Sequence, residues 1–83
     1  MLNILYFARL RETFGLEKES LSVPATATVA GLLTELRARG GVWADLLGVN
    51  KHWRVAVNQD MAEIDTPLKS GDEIAIFPPV TGG

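Results

Sequence analysis

The fold is decided by one stretch with a helical period, Thr28-Val29-Ala30-Gly31-Leu32-Leu33-Thr34-Glu35-Leu36-Arg37-Ala38-Arg39-Gly40-Gly41. Its apolar residues recur at i, i+3, i+4 and i+7, which places them on one face of a helix: Val29, Leu32, Leu33 and Leu36. Thr28 offers a side-chain oxygen as N-cap, and Gly40-Gly41 is a stop signal. The stretch therefore predicts an amphipathic helix over about residues 29–39, whose apolar face must be buried against another layer.

The segments on both sides of this helix alternate apolar and polar residues, which is typical of strands. We expect strands over residues 2–8, 17–23, 53–58 and 73–77, and a short edge strand over 61–64. The interruption over residues 9–15 is expected to be a long hairpin loop, and one more helical turn is expected near Trp43. One main helix and four or five strands predict an α+β domain, with a single mixed sheet and the helix across one face. The sheet residues expected to meet the helix are Ile4, Val55, Val57, Ile74 and Ile76.

The opposite face of the predicted sheet carries two aromatic residues. Asn3 and Glu73 indicate that this face meets solvent. Phe7 lies four residues after Asn3 in the first strand, and Phe77 four residues after Glu73 in the last, so both aromatic residues share this face. Monomers rarely leave such aromatic side chains clustered in the open. If these strands are neighbours, the two rings form a docking surface that also includes Ala75 and Met61. The alternatives are that each ring is exposed singly or that a loop covers them.

The chain ends in Phe77-Pro78-Pro79-Val80-Thr81-Gly82-Gly83. Pro78 and Pro79 fix φ near about −65° and cannot donate to a sheet ladder, so the last strand should end at Phe77. Gly82 and Gly83 have no Cβ, so a narrow channel of another protein could admit them. We therefore expect a domain over residues 1–77 and an extended reactive tail over 78–83, whose carboxylate is the chemical group. The alternative is an inert, disordered end.

The composition excludes several classes of function. At 83 residues the chain is one small domain, and any catalytic cleft would have to belong to a partner. There is no cysteine, which excludes a disulfide framework, a thiolate metal site and a persulfide carrier. The net charge of −2 and the scattered Lys and Arg argue against nucleic-acid binding, and the lone His52 has no companions for a metal site. No segment predicts a signal peptide or a membrane span, so we expect a cytoplasmic protein.

Several segments resemble those of the small sulfur-carrier subunits of molybdopterin synthase, a β-grasp, ubiquitin-like family. The resemblance spans nearly the whole chain, although residues 17–48 carry no family motif. Its most specific part is the terminal segment, Phe77 to Gly83. The other matching segments are Leu5-Tyr6-Phe7-Ala8 with Arg11-Glu12, Val57-Asn58-Gln59, Asp65-x-Pro67-Leu68 and Gly71-Asp72-Glu73.

The resemblance implies a cycle of sulfur transfer. A ubiquitin-activating-like adenylyltransferase would use ATP to adenylate the Gly83 carboxylate, and a sulfur donor would convert it to a thiocarboxylate. The tail, Pro78-Pro79-Val80-Thr81 with Gly82 for access, would then enter the large subunit of a heterotetrameric synthase. There it would give sulfur to cyclic pyranopterin monophosphate. By the same resemblance this chain would bind no cofactor and would be no enzyme on its own.

The resemblance also implies a docking role for four residues of the domain: Phe7, Phe77, Met61 and Arg11. Two other classes of function stay open. The chain could carry sulfur or modify proteins in another pathway, such as thiamine synthesis, tRNA thiolation or conjugation to lysines. It could also be a β-grasp binding module whose tail is inert.

Overall fold

The computed structural model describes residues 1–48 and 53–77. The elements follow in the order β1 (Leu2–Tyr6), α1 (Ala8–Phe14), β2 (Lys18–Leu21), α2 (Val29–Arg37), α3 (Val42–Leu46), β3 (Arg54–Val57), β4 (Asp60–Met61) and β5 (Glu73–Phe77). The strands form one five-stranded sheet in the order β2-β1-β5-β3-β4. β1 and β5 are parallel at its centre, and the other pairs are antiparallel. The mixed sheet of the α+β prediction is confirmed.

The main helix, α2, begins as its sequence predicts. Thr28 is extended, with φ −137°, and its Oγ1 accepts a hydrogen bond of 3.1 Å from the Gly31 amide. The helix ends at Arg37, two residues before the predicted end, and Gly40 and Gly41 follow with φ of 76° and 55°. A Cβ at Gly31 would collide with the carbonyl oxygen of Thr26, so this helical glycine is required by close packing against the preceding loop.

The core lies between α2 and one face of the sheet. Seven of the predicted residues are buried in one cluster, namely Ile4, Val29, Leu32, Leu36, Val55, Ile74 and Ile76. Leu33 and Val57 pack against this cluster but are only partly buried. The cluster also contains five residues outside the predicted set of helix–sheet contacts: Leu2, Tyr6, Leu10, Leu47 and Leu68. Each fully buried aliphatic side chain contributes about 1.5–3 kcal/mol, so this cluster is the main source of stability.

The prediction of a hairpin loop over residues 9–15 is wrong, because the segment forms helix α1. Leu10 is fully buried and Phe14 is partly buried, so an i, i+4 pair packs this short helix onto the core. Two apolar positions in seven residues are too few for a recognisable helical period. Ala8 begins the helix with φ 53°, and Gly15 ends it with φ 69°.

Other boundaries also differ from the prediction. β1 ends at Tyr6 rather than at residue 8, and β2 covers Lys18–Leu21 rather than 17–23. The edge strand β4 is Asp60–Met61, not residues 61–64. Backbone bonds outside the ladder explain this last shift: the Ile64 carbonyl accepts from the Ala30 amide at 2.8 Å, which turns the chain toward α2. The helical turn expected near Trp43 is confirmed as α3.

A polar clamp joins the turn after β3 to the start of β5. Asn58 Nδ2 donates to Asp72 Oδ1 at 2.9 Å, and the Glu73 amide donates to Asn58 Oδ1 at 3.0 Å. The second carboxylate oxygen of Asp72 accepts from the Lys69 amide at 2.9 Å. The hydrogen bond from Asn58, followed by that from Lys69, lowers the pKa of the buried Asp72 carboxyl. The clamp fixes the start of β5 relative to the turn after β3.

A second polar group lies where α1, α3 and β2 meet β1. The Tyr6 hydroxyl donates to Glu19 at 2.7 Å, and Arg39 holds the same carboxylate through bonds of 2.8 and 3.0 Å. The Arg39 guanidinium lies 4.3 Å from the ring centre of Trp43, which stacks on Phe14 at 3.6 Å. Burial and the bond to Glu19 raise the pKa of Tyr6. Burial alone would raise the pKa of Glu19, but the bonds from Arg39 and Tyr6 outweigh it and lower that pKa.

Candidate docking face and chain terminus

Phe7 and Phe77 lie side by side on the sheet face opposite α2. Their ring centres are 6.5 Å apart at an interplanar angle of 87°, which is a T-shaped contact. Phe7 is 44% exposed and Phe77 is partly exposed. The predicted patch required the first and last strands to be neighbours. They are neighbours, because β1 pairs directly with β5. The two rings are neither isolated nor covered by a described loop.

Strand register extends this apolar area across the sheet. Leu5 lies opposite Ala75, Ala75 opposite Ala56, and Ala56 opposite Met61. Directly paired residues share one face, so these four form a row beside the two aromatic rings. Met61 is 57% exposed at the sheet edge. We call Leu5, Phe7, Ala56, Met61, Ala75 and Phe77 the docking patch.

Basic residues border the docking patch. Arg54 pairs with Phe77 across β3 and β5, and Lys18 pairs with Leu5 across β2 and β1. Arg11 is exposed on α1, the helix that starts directly after Phe7. Within residues 1–48 and 53–77, none of these three side chains forms an ion pair, since the single pair there joins Arg39 and Glu19. Arg54 was not predicted from the sequence to border this patch. It precedes the core residue Val55 in the same strand, so the alternation of the strand already assigned it to the opposite, open face.

The backbone turn between β1 and α1 sets the position of Phe7. Its amide donates to the Ile76 carbonyl at 3.3 Å, which continues the pairing with β5, and its carbonyl accepts from the Leu10 amide at 3.2 Å. The next residue, Ala8, takes a left-handed φ of 53°. This conformation is uncommon for a residue with a Cβ. The chain thus turns from strand to helix within one residue, and the Phe7 ring stays beside Phe77.

The last strand ends at Phe77, between β1 and β3 in the middle of the sheet. Pro78, Pro79, Val80, Thr81, Gly82 and Gly83 lie outside the described residues, so the predicted tail over 78–83 stays a prediction. Phe77 itself is paired with Arg54, and this pairing fixes the point from which the terminal segment continues. Phe77, the last residue that the structure describes, is therefore itself part of the docking patch.

Residues 1–48 and 53–77 contain no group of three or more His, Cys, Asp or Glu that could hold a metal ion. His52 lies outside these ranges. In the same part of the chain, no helix is long and apolar enough to cross a membrane.

The family model described as the ThiS family matches residues 4–83. The chain belongs to the ThiS family. This ThiS-family chain is 42% identical, over 83 residues and 100% of both proteins, to the molybdopterin synthase sulfur carrier subunit of Haemophilus influenzae. The identification made from the sequence motifs is confirmed.

Solved structures agree with the ThiS-family assignment. A Pyrococcus furiosus protein superposes with a TM-score of 0.78 at 31% identity, covering 95% of this chain and 97% of its own. A chain from the complex of subunits 1 and 2 of the Helicobacter pylori molybdopterin-converting factor has a TM-score of 0.67 at 26% identity. That match covers 99% of this chain and 97% of the other. The β-grasp fold expected from the resemblance is confirmed.

Proposed function

We propose that this protein is the sulfur-carrying subunit of a molybdopterin synthase. The observation that carries the proposal is that an exposed, paired-aromatic surface lies where the last strand ends, directly before the sequence Pro78 to Gly83. A carrier needs a surface by which partners hold the domain and a terminus that reaches their active sites, and here the two are contiguous. The full-length similarity to a sulfur carrier subunit favours this function over an inert binding module.

The chemistry belongs to the terminal carboxylate of Gly83. A carboxylate is a poor acyl donor, so an oxygen of Gly83 first attacks the α-phosphorus of ATP in the activating partner, and diphosphate leaves. A sulfur donor at the sulfide oxidation level then attacks the acyl carbon, and AMP departs with the carboxylate oxygen. The product is a thiocarboxylate, whose soft anionic sulfur is the nucleophile delivered to cyclic pyranopterin monophosphate. There the sulfur bonds to a pterin side-chain carbon as a carbon–oxygen bond of that carbon breaks, and the oxygen leaves with its electron pair. Hydrolysis of the resulting acyl–sulfur bond restores the carboxylate and leaves the sulfur on the pterin.

The domain contributes binding energy and position to this cycle. Phe7 and Phe77 would anchor the large subunit and the adenylyltransferase, because exposed aromatic side chains that become fully desolvated are frequent hot spots. Met61 would extend the apolar contact, and Arg11 would contact acidic groups at its border. From Phe77, the terminal residues Pro78, Pro79, Val80, Thr81, Gly82 and Gly83 can span at most about 20 Å. That reach, together with the absence of side chains at the two glycines, suits a narrow channel. We place the protein in the cytoplasm, where ATP-dependent activation takes place.

The decisive experiment changes the terminus and leaves the domain intact. One residue added after Gly83 displaces the reactive carbon by about 3.3–3.6 Å, whereas errors of about 1 Å can already cost a hundredfold in rate. We expect the extended chain, a chain lacking Gly83 and the variant Gly82→Val to lose sulfur transfer. All three should keep the melting temperature of the wild type and still bind the large subunit.

The assay uses purified adenylyltransferase, sulfur donor and large subunit, with intact mass reporting the exchange of one oxygen for sulfur. A chain with one residue inserted before Met1 is the matched control, since it changes the length at the other end. Sulfur transfer by the extended chain at the wild-type rate would contradict the carrier function. Thiocarboxylate formation without pterin conversion by the large subunit would point instead to a carrier of another pathway.

A further inference from the structure

An apolar groove lies on the side of the molecule where α2 faces the segment after β4. One part encloses about 280 Å³ and the adjoining part about 230 Å³. Both parts are lined by Leu33, Trp53 and Ile64. Ile64 is 69% exposed, the highest value among the exposed large apolar side chains of the described residues. The groove is thus an apolar surface that the core does not use.

The groove is continuous with the docking patch. Met61 and Arg54 line its second part, and both also lie on the open sheet face by register, opposite Ala56 and Phe77 respectively. The edge strand between the two areas, β4, is two residues long. A partner that covers Phe77 and Met61 therefore reaches Ile64 by passing around this short edge.

The backbone holds Ile64 in place although its side chain is exposed. The Ile64 carbonyl accepts from the Ala30 amide at 2.8 Å, and the Thr66 carbonyl accepts from the Val29 amide at 3.1 Å. The segment is therefore fastened to the first turn of α2 by main-chain bonds that do not depend on the Ile64 side chain. Such pre-ordering lowers the entropic cost of binding at this position.

The charges around the groove indicate the chemistry of what fills it. Arg37 lines one part and Arg54 the other, whereas Glu63 is the one carboxylate of the lining. Arg37 donates to the Leu47 carbonyl at 3.1 Å and to Thr34 Oγ1 at 3.2 Å, and neither arginine has a carboxylate partner within the described part of the chain. An apolar side chain with an acidic neighbour would complement this groove.

We propose that the large subunit, besides covering the docking patch, wraps around β4 and inserts an apolar side chain flanked by a carboxylate into this groove, with Ile64 as its second anchor. This inference rests on the proposed function. It adds a contact on the helical side of the molecule and makes the total interface larger than the patch alone provides.

The test is the affinity of purified large subunit for Ile64→Ser, measured by calorimetry, with Val42→Ser as matched control. Val42 is an aliphatic residue 44% exposed on α3 and outside the groove lining. We expect Ile64→Ser to weaken binding about tenfold, and Ile64→Val and Val42→Ser to stay within about twofold of the wild type. Arg54→Glu should lower the association rate and flatten its dependence on salt.

Three outcomes would overturn the inference. If Ile64→Ser binds like Val42→Ser while Phe77→Ala binds weakly, the groove is not part of the interface and the proposed function stands. If neither Ile64→Ser nor Phe77→Ala affects binding, the docking role of the patch fails as well. If sedimentation finds wild-type dimers that Ile64→Ser dissociates, a second copy of the chain fills the groove.

Discussion

Replacing Asn58 with alanine should remove the clamp between the turn after β3 and the start of β5. The substitution deletes two hydrogen bonds, one to the ionised Asp72 carboxylate at 2.9 Å and one from the Glu73 amide at 3.0 Å. A bond to a charged group is worth about 1.5–3 kcal/mol and a neutral one about 0.5–1.5 kcal/mol. Because Asn58 is itself exposed, water replaces part of both, and we expect a loss of about 1–3 kcal/mol in the free energy of unfolding.

This loss matters because the domain is small. At about 0.05–0.15 kcal/mol per residue, a chain of this size has a total stability of about 4–12 kcal/mol.

The loss of stability in Asn58→Ala should depend on pH. The folded pKa of Asp72 is lowered chiefly by the Asn58 bond, so the stabilisation is complete above the unfolded pKa of about 3.9 and disappears as the pH falls through the folded value. The difference between wild type and Asn58→Ala should therefore shrink in acid.

Urea unfolding at about pH 7 and about pH 3 measures both effects. The matched control is Gln59→Ala, because Gln59 follows in the same turn with φ 73° but belongs to none of the clamp's hydrogen bonds. The Gln59→Ala variant measures how much unfolding free energy is lost when a residue with left-handed φ is replaced in this turn while the clamp stays intact. Equal losses for the two variants at neutral pH, or an Asn58→Ala loss that is the same at both pH values, would refute the role of the clamp.

Three further predictions concern the core and the docking patch. Leu36→Ala should lower the free energy of unfolding by about 2–5 kcal/mol because Leu36 is fully buried. Leu33→Ala should lower it distinctly less because Leu33 is partly exposed, and urea midpoints compare the two. Equal losses would mean that the helix face is wrongly assigned. Gly31→Ala should destabilise by about 1–3 kcal/mol in thermal melts, because its Cβ would meet the Thr26 carbonyl, and an unchanged melt would contradict that packing. Phe77→Ala should weaken the large-subunit complex by tenfold or more while the circular dichroism spectrum stays native; a collapsed fold would assign Phe77 to the core instead.

The sequence predicted the parts of this fold in which periodicity is strong. The i, i+3, i+4, i+7 pattern of α2 and the alternation in β5 both placed their core residues correctly, because each element buries one face along its whole length. Parity along β1 and β5 also predicted the open face, and the pairing of these strands brought Phe7 and Phe77 together. Motif resemblance then identified the family.

The remaining features depend on contacts between distant segments. Helix α1 exists because Leu10 reaches the core, a tertiary effect that seven residues of sequence do not reveal. The clamp joins Asn58 to Asp72, and each residue alone resembles an ordinary turn signal. The Ile64 groove likewise appears only once β4 ends after Met61 and the chain turns toward α2. Local sequence patterns carry no information on contacts between distant segments.

The pairing of β1 with β5 has a consequence for the order of events in the cell. The two strands at the centre of the sheet come from opposite ends of the chain, so β1 has no central neighbour until the last strand has been synthesised. Pairing across such a long sequence separation is intrinsically slow, because the entropic cost of closing the intervening chain must be met before the contacts stabilise it. A nascent or truncated chain that lacks β5 thus lacks both the completed core and the terminus that partners would receive. If the proposed activating enzyme contacts the assembled sheet, it would therefore select folded molecules before ATP is consumed.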